Sequence, residues 1–72
     1  MLETTIGALS VGDVFKFSKE DIPYRILAIE EISSDFVLVS CKATINFYKH
    51  ERYKMFKGKL LKNLIVYVGD DK

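Results

Sequence analysis

The chain has 72 residues, of which 49% are hydrophobic and 29% are charged, a composition typical of one small folded domain, which excludes a disordered chain. The net charge is +1, but residues 1–40 carry three basic and seven acidic side chains (net −4), whereas residues 42–62 carry seven and one (net +6). This asymmetry indicates either a polyanionic partner or two halves that neutralise each other in the fold.

The N-terminal segment and the cysteine content bear on the compartment. Residues 1–10 place an acid before any base and contain no long apolar run, so they do not predict a signal peptide. No stretch approaches the roughly 18 apolar residues that span a bilayer. The single cysteine, Cys41, cannot form an internal disulfide, and it lies in an apolar run where a thiol behaves as a small buried side chain. We therefore expect a cytoplasmic protein.

Four runs rich in β-branched and aromatic residues, separated by turn signals, predict strands. They cover residues 14–17, 24–32, 36–44 and 64–68. Gly12 can adopt a positive φ in the turn before the first run, and Pro23 biases its neighbour towards extended backbone just before the second. Residues 33–35, Ser-Ser-Asp, predict a short hairpin connection, so the second and third strands should pair antiparallel.

The stretch from residue 45 to residue 59 contains four aromatic residues and five lysines or arginines. No helical spacing gives it an apolar face, whereas alternation fits its second half. We predict a hairpin with strands near residues 43–48 and 52–57 and a turn at 49–51. After it we expect a turn at Gly58 and one helical turn through residues 60–64.

The order of the predicted strands and turns is similar to that of a known class of small β domains. "GDVF" at 12–15 is followed by "YRILAI" at 24–29, a tight turn, "FVLVS" at 36–40 and a short turn before a final strand. This order resembles the order of strands and turns in SH3-like small barrels, including Tudor-type domains. It implies a mainly β fold, with five or six antiparallel strands in one small barrel spanning residues 1–72. The Tyr-Gly-Asn segment of many Tudor domains is missing, so recognition of methyl groups is not inferred.

Two of the predicted strands are apolar on both faces. One explanation is that these strands bend and contribute to the core from both faces along their length. The other is an outer apolar patch that a dimer partner or another protein covers. The residues of this candidate protein interface are Tyr24, Ile26, Phe36 and Leu38.

No residue pattern predicts catalysis, a metal site or a cofactor. His50 is the only histidine, and Cys41 has no base near it in sequence. One cysteine and one histidine cannot form a zinc site. Glu30 and Glu31 are adjacent on a strand and point to opposite faces. We therefore expect a protein that is not an enzyme.

The basic and aromatic stretch is the remaining functional candidate. Cations that follow phosphates, with aromatic rings that stack on bases, are typical of single-stranded nucleic-acid binding. The candidate residues are Tyr48, Lys49, Arg52, Lys54, Phe56, Lys57 and Lys59. Alternation places Phe56 on the face of Arg52 and Lys54, and Met55 on the opposite one. The other interpretation is that the rings are core and the lysines form a solvated edge that discourages strand pairing.

The function predicted from the sequence is a binding module that acts through protein–protein interaction, as an adaptor, a small inhibitor or a self-associating domain. The alternative is a small nucleic-acid-binding barrel that uses the hairpin of residues 48–59. The expected partner is accordingly another protein or a second copy, with nucleic acid as the alternative and no membrane.

Overall fold

The computed structural model describes residues 1–44 and 55–69. Within these ranges the strands are β1 (Leu2–Thr5), β2 (Val14–Phe15), β3 (Tyr24–Glu31), β4 (Phe36–Ala43), β5 (Met55–Leu61) and β6 (Ile65–Val68), and a 3₁₀ turn covers Ile6–Ala8. One antiparallel sheet has the order β2-β3-β4-β5, and the other pairs β1 with β6. The sheets curl into a half-barrel, which confirms the mainly β prediction.

Strand β4 lies in the middle of the larger sheet and shows the clearest periodicity. Its side chains alternate between half-buried and buried along its whole length, with Val37, Val39, Cys41 and Ala43 in the core. The predicted hairpin between β3 and β4 is confirmed. At its turn, Ser33 Oγ accepts hydrogen bonds from the backbone N–H groups of Asp35 and of Phe36, the first residue of β4, at 3.3 and 3.2 Å.

The entry to β2 follows the turn chemistry that the sequence indicates. Gly12 has a φ of +97°, which L residues with side chains rarely adopt. Asp13 Oδ2 accepts a hydrogen bond from the N–H of Ser10 at 2.8 Å and so closes this turn. Strand β3 begins at Tyr24, directly after Pro23, as predicted.

Four aromatic rings bring the two ends of the larger sheet together. Phe15 on β2 and Tyr24 on β3 are buried, with ring centroids 6.2 Å apart. Phe17 lies edge-on to both and also contacts Phe56 of β5, at a centroid distance of 5.4 Å and an interplanar angle of 70°. Because β2 and β5 are the outermost strands of this sheet, the contact between Phe17, two residues after the end of β2, and Phe56 brings the two edges of the curled sheet towards each other.

Strand β3 contains a β-bulge. Ile26 pairs with Cys41 and Ala28 with Ser40, so Leu27 is an extra residue in the ladder. The alternation is therefore interrupted: Tyr24, Ile26 and Ile29 pack on the core side, while Leu27 and Ala28 are both exposed. The bulge explains why simple alternation along the sequence of β3 places apolar residues on both faces of the strand.

Two predictions for the second half of the chain are wrong. Gly58 is not in a turn: it lies within β5, opposite Val39. Residues 60–64 do not form a helical turn, because β5 continues to Leu61 and a tight turn at residues 62 and 63 leads into β6. The predicted strand at 43–48 is described only to residue 44, and the predicted turn at 49–51 lies outside the described residues.

Strand β1 was not predicted, because Leu2–Thr5 has no strong β pattern of its own and forms by pairing with β6. After β1, the N–H of Gly7 donates to the carbonyl of Lys62 at 2.9 Å and ties the 3₁₀ turn to the turn after β5. In the described part of the chain, no helix has the length and apolar character needed to cross a membrane.

Candidate functional site

The surface of β3, β4 and β5 that faces away from the core is called here the outer face. Cross-strand pairing and burial assign its residues to four rows. These rows are Phe36 with Leu61; Glu30 with Leu38 and Lys59; Ala28 with Ser40 and Lys57; and Arg25 with Lys42 and Met55. The exposed side chain of Leu27, at the bulge, lies beside the third row.

The outer face has an apolar end and a cationic end. Phe36, Leu38 and Leu61 form the apolar end, where Leu61 is 49% exposed. Lysines and an arginine occupy the other three rows, and Glu30 is the one acid among them, so four basic side chains and one acidic one give the face a charge of +3. Met55, 59% exposed, lies in the last row.

A surface depression adjoins the apolar end. It has a volume of about 330 Å³ and is lined by Ser34, Asp35, Phe36, Leu61, Lys62 and Asn63. The hairpin turn between β3 and β4 forms one side, and the turn between β5 and β6 forms the other. The carbonyl of Asp35 accepts a hydrogen bond from the N–H of Lys62 at 2.8 Å, which fixes the two turns relative to each other.

The cations on the outer face and beside it differ in what they contact. Lys62, beside the depression, forms an ion pair with Glu31 at 2.6 Å. Arg25 donates to the carbonyl of Gly12 at 3.0 Å. Lys59 Nζ lies 4.7 Å from the centroid of the Phe36 ring, a cation–π contact that joins the cationic part of the face to its apolar end. Among the residues that the structure describes, neither Lys57 nor Lys59 has an acidic partner.

The structure separates the four residues of the predicted apolar patch. Phe36 and Leu38 lie on the outer face and are half-buried, whereas Tyr24 and Ile26 are in the core with 6% and 1% exposure. The prediction is therefore wrong for Tyr24 and Ile26. The reason is the register: Tyr24 pairs with Ala43 and Ile26 with Cys41, both of which are inward residues of β4.

The predicted nucleic-acid surface is divided in a similar way. Lys57 and Lys59 are exposed on the outer face, but Phe56 points into the half-barrel against Phe17 and is not available for stacking on a base. Met55, predicted to lie on the face opposite Arg52 and Lys54, is exposed on the outer face with Lys57 and Lys59. The remaining candidates, Tyr48, Lys49, Arg52 and Lys54, lie outside the described residues.

Two titratable side chains of the described core, Cys41 and Tyr24, have a raised pKa. Cys41 is fully buried, as predicted, and burial raises the pKa of its thiol to about 11, so the thiol is protonated near neutral pH. Burial, with smaller effects of Asp21 and Cys41, also raises the pKa of Tyr24. Residues 1–44 and 55–69 contain no group of three or more His, Cys, Asp or Glu side chains that could hold a metal ion.

Comparison with known proteins gives no match: no family model matches the chain, and neither a curated protein nor a solved structure shows significant similarity to it. The candidate site therefore depends on geometry alone. Lys57 and Lys59 were predicted from the sequence as site residues, but Leu61 and the depression were missed, and the depression has no local signal because two turns distant in sequence form it.

Proposed function

We propose that this protein is a non-enzymatic binding module that acts through protein–protein interaction, and that its partner binds on the outer face. The observation that carries this proposal is the apolar end of that face. Leu61, which is exposed, and Phe36 and Leu38, which are half-buried, lie together there next to a depression of about 330 Å³. An exposed apolar cluster with a polar rim is typical of an interaction surface.

The dimensions of the outer face indicate how tightly it binds. Seven residues of β4 at about 3.3 Å each and three strands about 4.8 Å apart give a footprint of roughly 300 Å². A stable complex buries about 800 Å² on each partner. We therefore expect weak, reversible binding, as in the small interfaces of transient complexes.

An SH3-like barrel is part of the same proposal. The backbone bridge between Lys16 and Tyr67 brings the end of β2 next to β6. With it, the strands follow one another around the half-barrel in the order β1, β6, β2, β3, β4 and β5. This order supports the assignment, because a small barrel of this type also removes most of its free edges by curling.

Two matched substitutions test the proposal. Leu61→Lys places a charge in the apolar end of the outer face, and Ile65→Lys places one on β6, in the other sheet, at a residue of similar exposure (49% and 45%). Circular dichroism establishes that both variants fold. Each protein is then immobilised, captured proteins are identified by mass spectrometry, and self-association is measured by sedimentation.

A partner, or a second copy, should bind the wild type and Ile65→Lys but not Leu61→Lys. Burying an unpaired ammonium in the contact would cost more than the weak interface provides. Equal binding by all three proteins, or no binding by the wild type, would contradict the proposal.

A further inference from the structure

We infer that the partner of the outer face is an acidic segment of another protein, bound in extended conformation, with an apolar residue in the depression and acidic residues along Lys59 and Lys57. This inference rests on the proposed function, because it specifies which chemistry the outer face recognises. Charge complementarity carries it: the four rows of the face bear +3, and their cations lie on one side of the depression, at which Phe36 and Leu61 are the apolar lining residues.

The spacing of the two lysines indicates an extended partner. Lys57 and Lys59 are two residues apart on β5 and are exposed on the same face. Their Cα atoms are therefore about 6.6 Å apart, which equals the spacing of alternate side chains in an extended peptide. Acidic residues at alternate positions can meet both lysines in one conformation.

The contact between Lys59 and Phe36 links the two parts of the site. Lys59 Nζ is held 4.7 Å from the centroid of the Phe36 ring, and Phe36 lines the depression. An apolar side chain that enters the depression next to Phe36 and Leu61 would place the following residues of the partner near this ammonium group. The partner should therefore present its apolar residue before or after a run of alternating acids, with no gap between them.

The outer face suits an acidic protein segment better than nucleic acid. Leu38, Leu61 and Met55 offer apolar surface that phosphates and sugars do not cover. The one aromatic ring in its four rows, Phe36, already lies beneath an ammonium group, and Phe56 packs inside the half-barrel. Base stacking needs a free ring face, which these contacts do not provide.

The test uses three labelled probes and fluorescence anisotropy. The first is a short synthetic peptide with one leucine and one phenylalanine next to alternating glutamates. The second has glutamine in place of every glutamate, and the third is a single-stranded DNA oligonucleotide. Binding is measured at about 0.05 M and about 0.5 M salt, which shortens the screening length from about 14 Å to about 4 Å.

Two double variants serve as test and control. K57Q/K59Q removes two cations from the outer face, one of which lies over a ring. K16Q/K19Q removes two cations elsewhere, and there too one, Lys19, lies over a ring, 5.7 Å from the centroid of Tyr67. The two variants therefore have the same net charge and lose the same kind of contact.

The glutamate peptide should bind the wild type more tightly than the glutamine peptide and the oligonucleotide do, and less tightly at high salt. K57Q/K59Q should weaken this binding by about 2-fold to 30-fold, the range for two exposed ion pairs, whereas K16Q/K19Q should change it by less than about 2-fold. Equal affinity for the glutamate and glutamine peptides, tighter binding of the oligonucleotide, or no binding of the glutamate peptide would overturn the inference.

Different results would contradict the proposed function and the inference about the acidic partner. Suppose that capture of a partner depends on Leu61 but does not change with salt or in K57Q/K59Q. The inference that the partner is acidic is then excluded, whereas the proposal that the outer face binds a protein is retained. If capture does not depend on Leu61 at all, the proposed function itself is excluded.

Discussion

The ring contact between Phe17 and Phe56 should contribute measurably to stability, because it joins the segment that follows β2 to β5, at the two edges of the curled sheet. The rings are 5.4 Å apart and nearly perpendicular, a geometry that adds about 0.5–1.5 kcal/mol beyond the apolar area it buries. At 0.05–0.15 kcal/mol per residue, the whole protein has a free energy of unfolding of about 4–11 kcal/mol. The contact therefore accounts for roughly a tenth of the stability.

A double-mutant cycle isolates this contribution. Phe17→Leu and Phe56→Leu keep an apolar side chain at each position, so each should cost less than about 1.5 kcal/mol in packing plus the lost ring contact. Urea unfolding of the wild type, both single variants and the double variant gives the coupling energy, which we expect to be 0.5–1.5 kcal/mol.

The matched control pairs Phe17→Leu with Phe36→Leu. Phe36 is on the outer face, on the opposite side of the sheet from Phe17, so these two substitutions should be additive within about 0.3–0.5 kcal/mol. If the coupling between Phe17 and Phe56 is no larger than in this control, the two rings do not close the half-barrel in solution and the reasoning is refuted.

Three further predictions concern the core and its turns. Gly7→Ala should lower stability by about 1–3 kcal/mol, since a Cβ there would lie 3.0 Å from the carbonyl oxygen of Lys62; an unchanged urea midpoint would contradict this close approach. Gly58→Ala should also destabilise, because its Cβ would lie 3.1 Å from Cζ of Phe56, whereas a gain in stability would mean that the ring moves freely. Raising the pH from 8 to 10 should cost about 1.4 kcal/mol through Cys41, whose thiol pKa rises from 9.0 to about 11 on folding, so that the unfolded chain loses this proton first. Unfolding at both pH values should show a smaller loss for Cys41→Ala, and an equal loss would exclude the thiol as the cause.

Local signals were sufficient to predict the centre of the fold. Strand β4 alternates without interruption, and the Ser-Ser-Asp turn before it specifies a hairpin, so the pairing of β3 with β4 follows from neighbouring residues. The positive φ of Gly12 and the start of β3 after Pro23 are equally local. Each of these features depends on interactions within a few residues along the chain.

Strand β5 shows why the rest could not be predicted. A glycine between two lysines predicts a turn. Gly58 is instead a strand residue, and because it has no side chain it leaves room for the ring of Phe56. The direction of that ring depends on the register between β4 and β5, and a shift of one residue exchanges the faces. The same limit applies to Phe56 and Met55: alternation predicted that they lie on opposite faces, as they do, but the sequence did not determine which of them faces the core.

The predicted apolar patch failed for a related reason. The sequence shows that β3 has apolar residues on both sides, but only the pairing with β4 reveals that Tyr24 and Ile26 lie on its inward side. The part of the candidate site that lies on β4, Phe36 and Leu38, was predictable because that strand is regular. The depression was not, since it is formed by two turns that are distant in sequence.

The bulge in β3 has a consequence for how related sequences can vary. Removing Leu27 would join Ile26 to Ala28 and restore simple alternation, with Ile26 and Ile29 still facing the core and Ala28 and Glu30 still facing out. Removing Ala28 would have the same result, because Leu27 and Ala28 are both exposed, whereas a deletion further from the bulge would exchange the faces of part of the strand. Homologous chains should therefore tolerate a one-residue gap at position 27, and a sequence profile that permits a gap there should recognise distant relatives that an ungapped strand would miss.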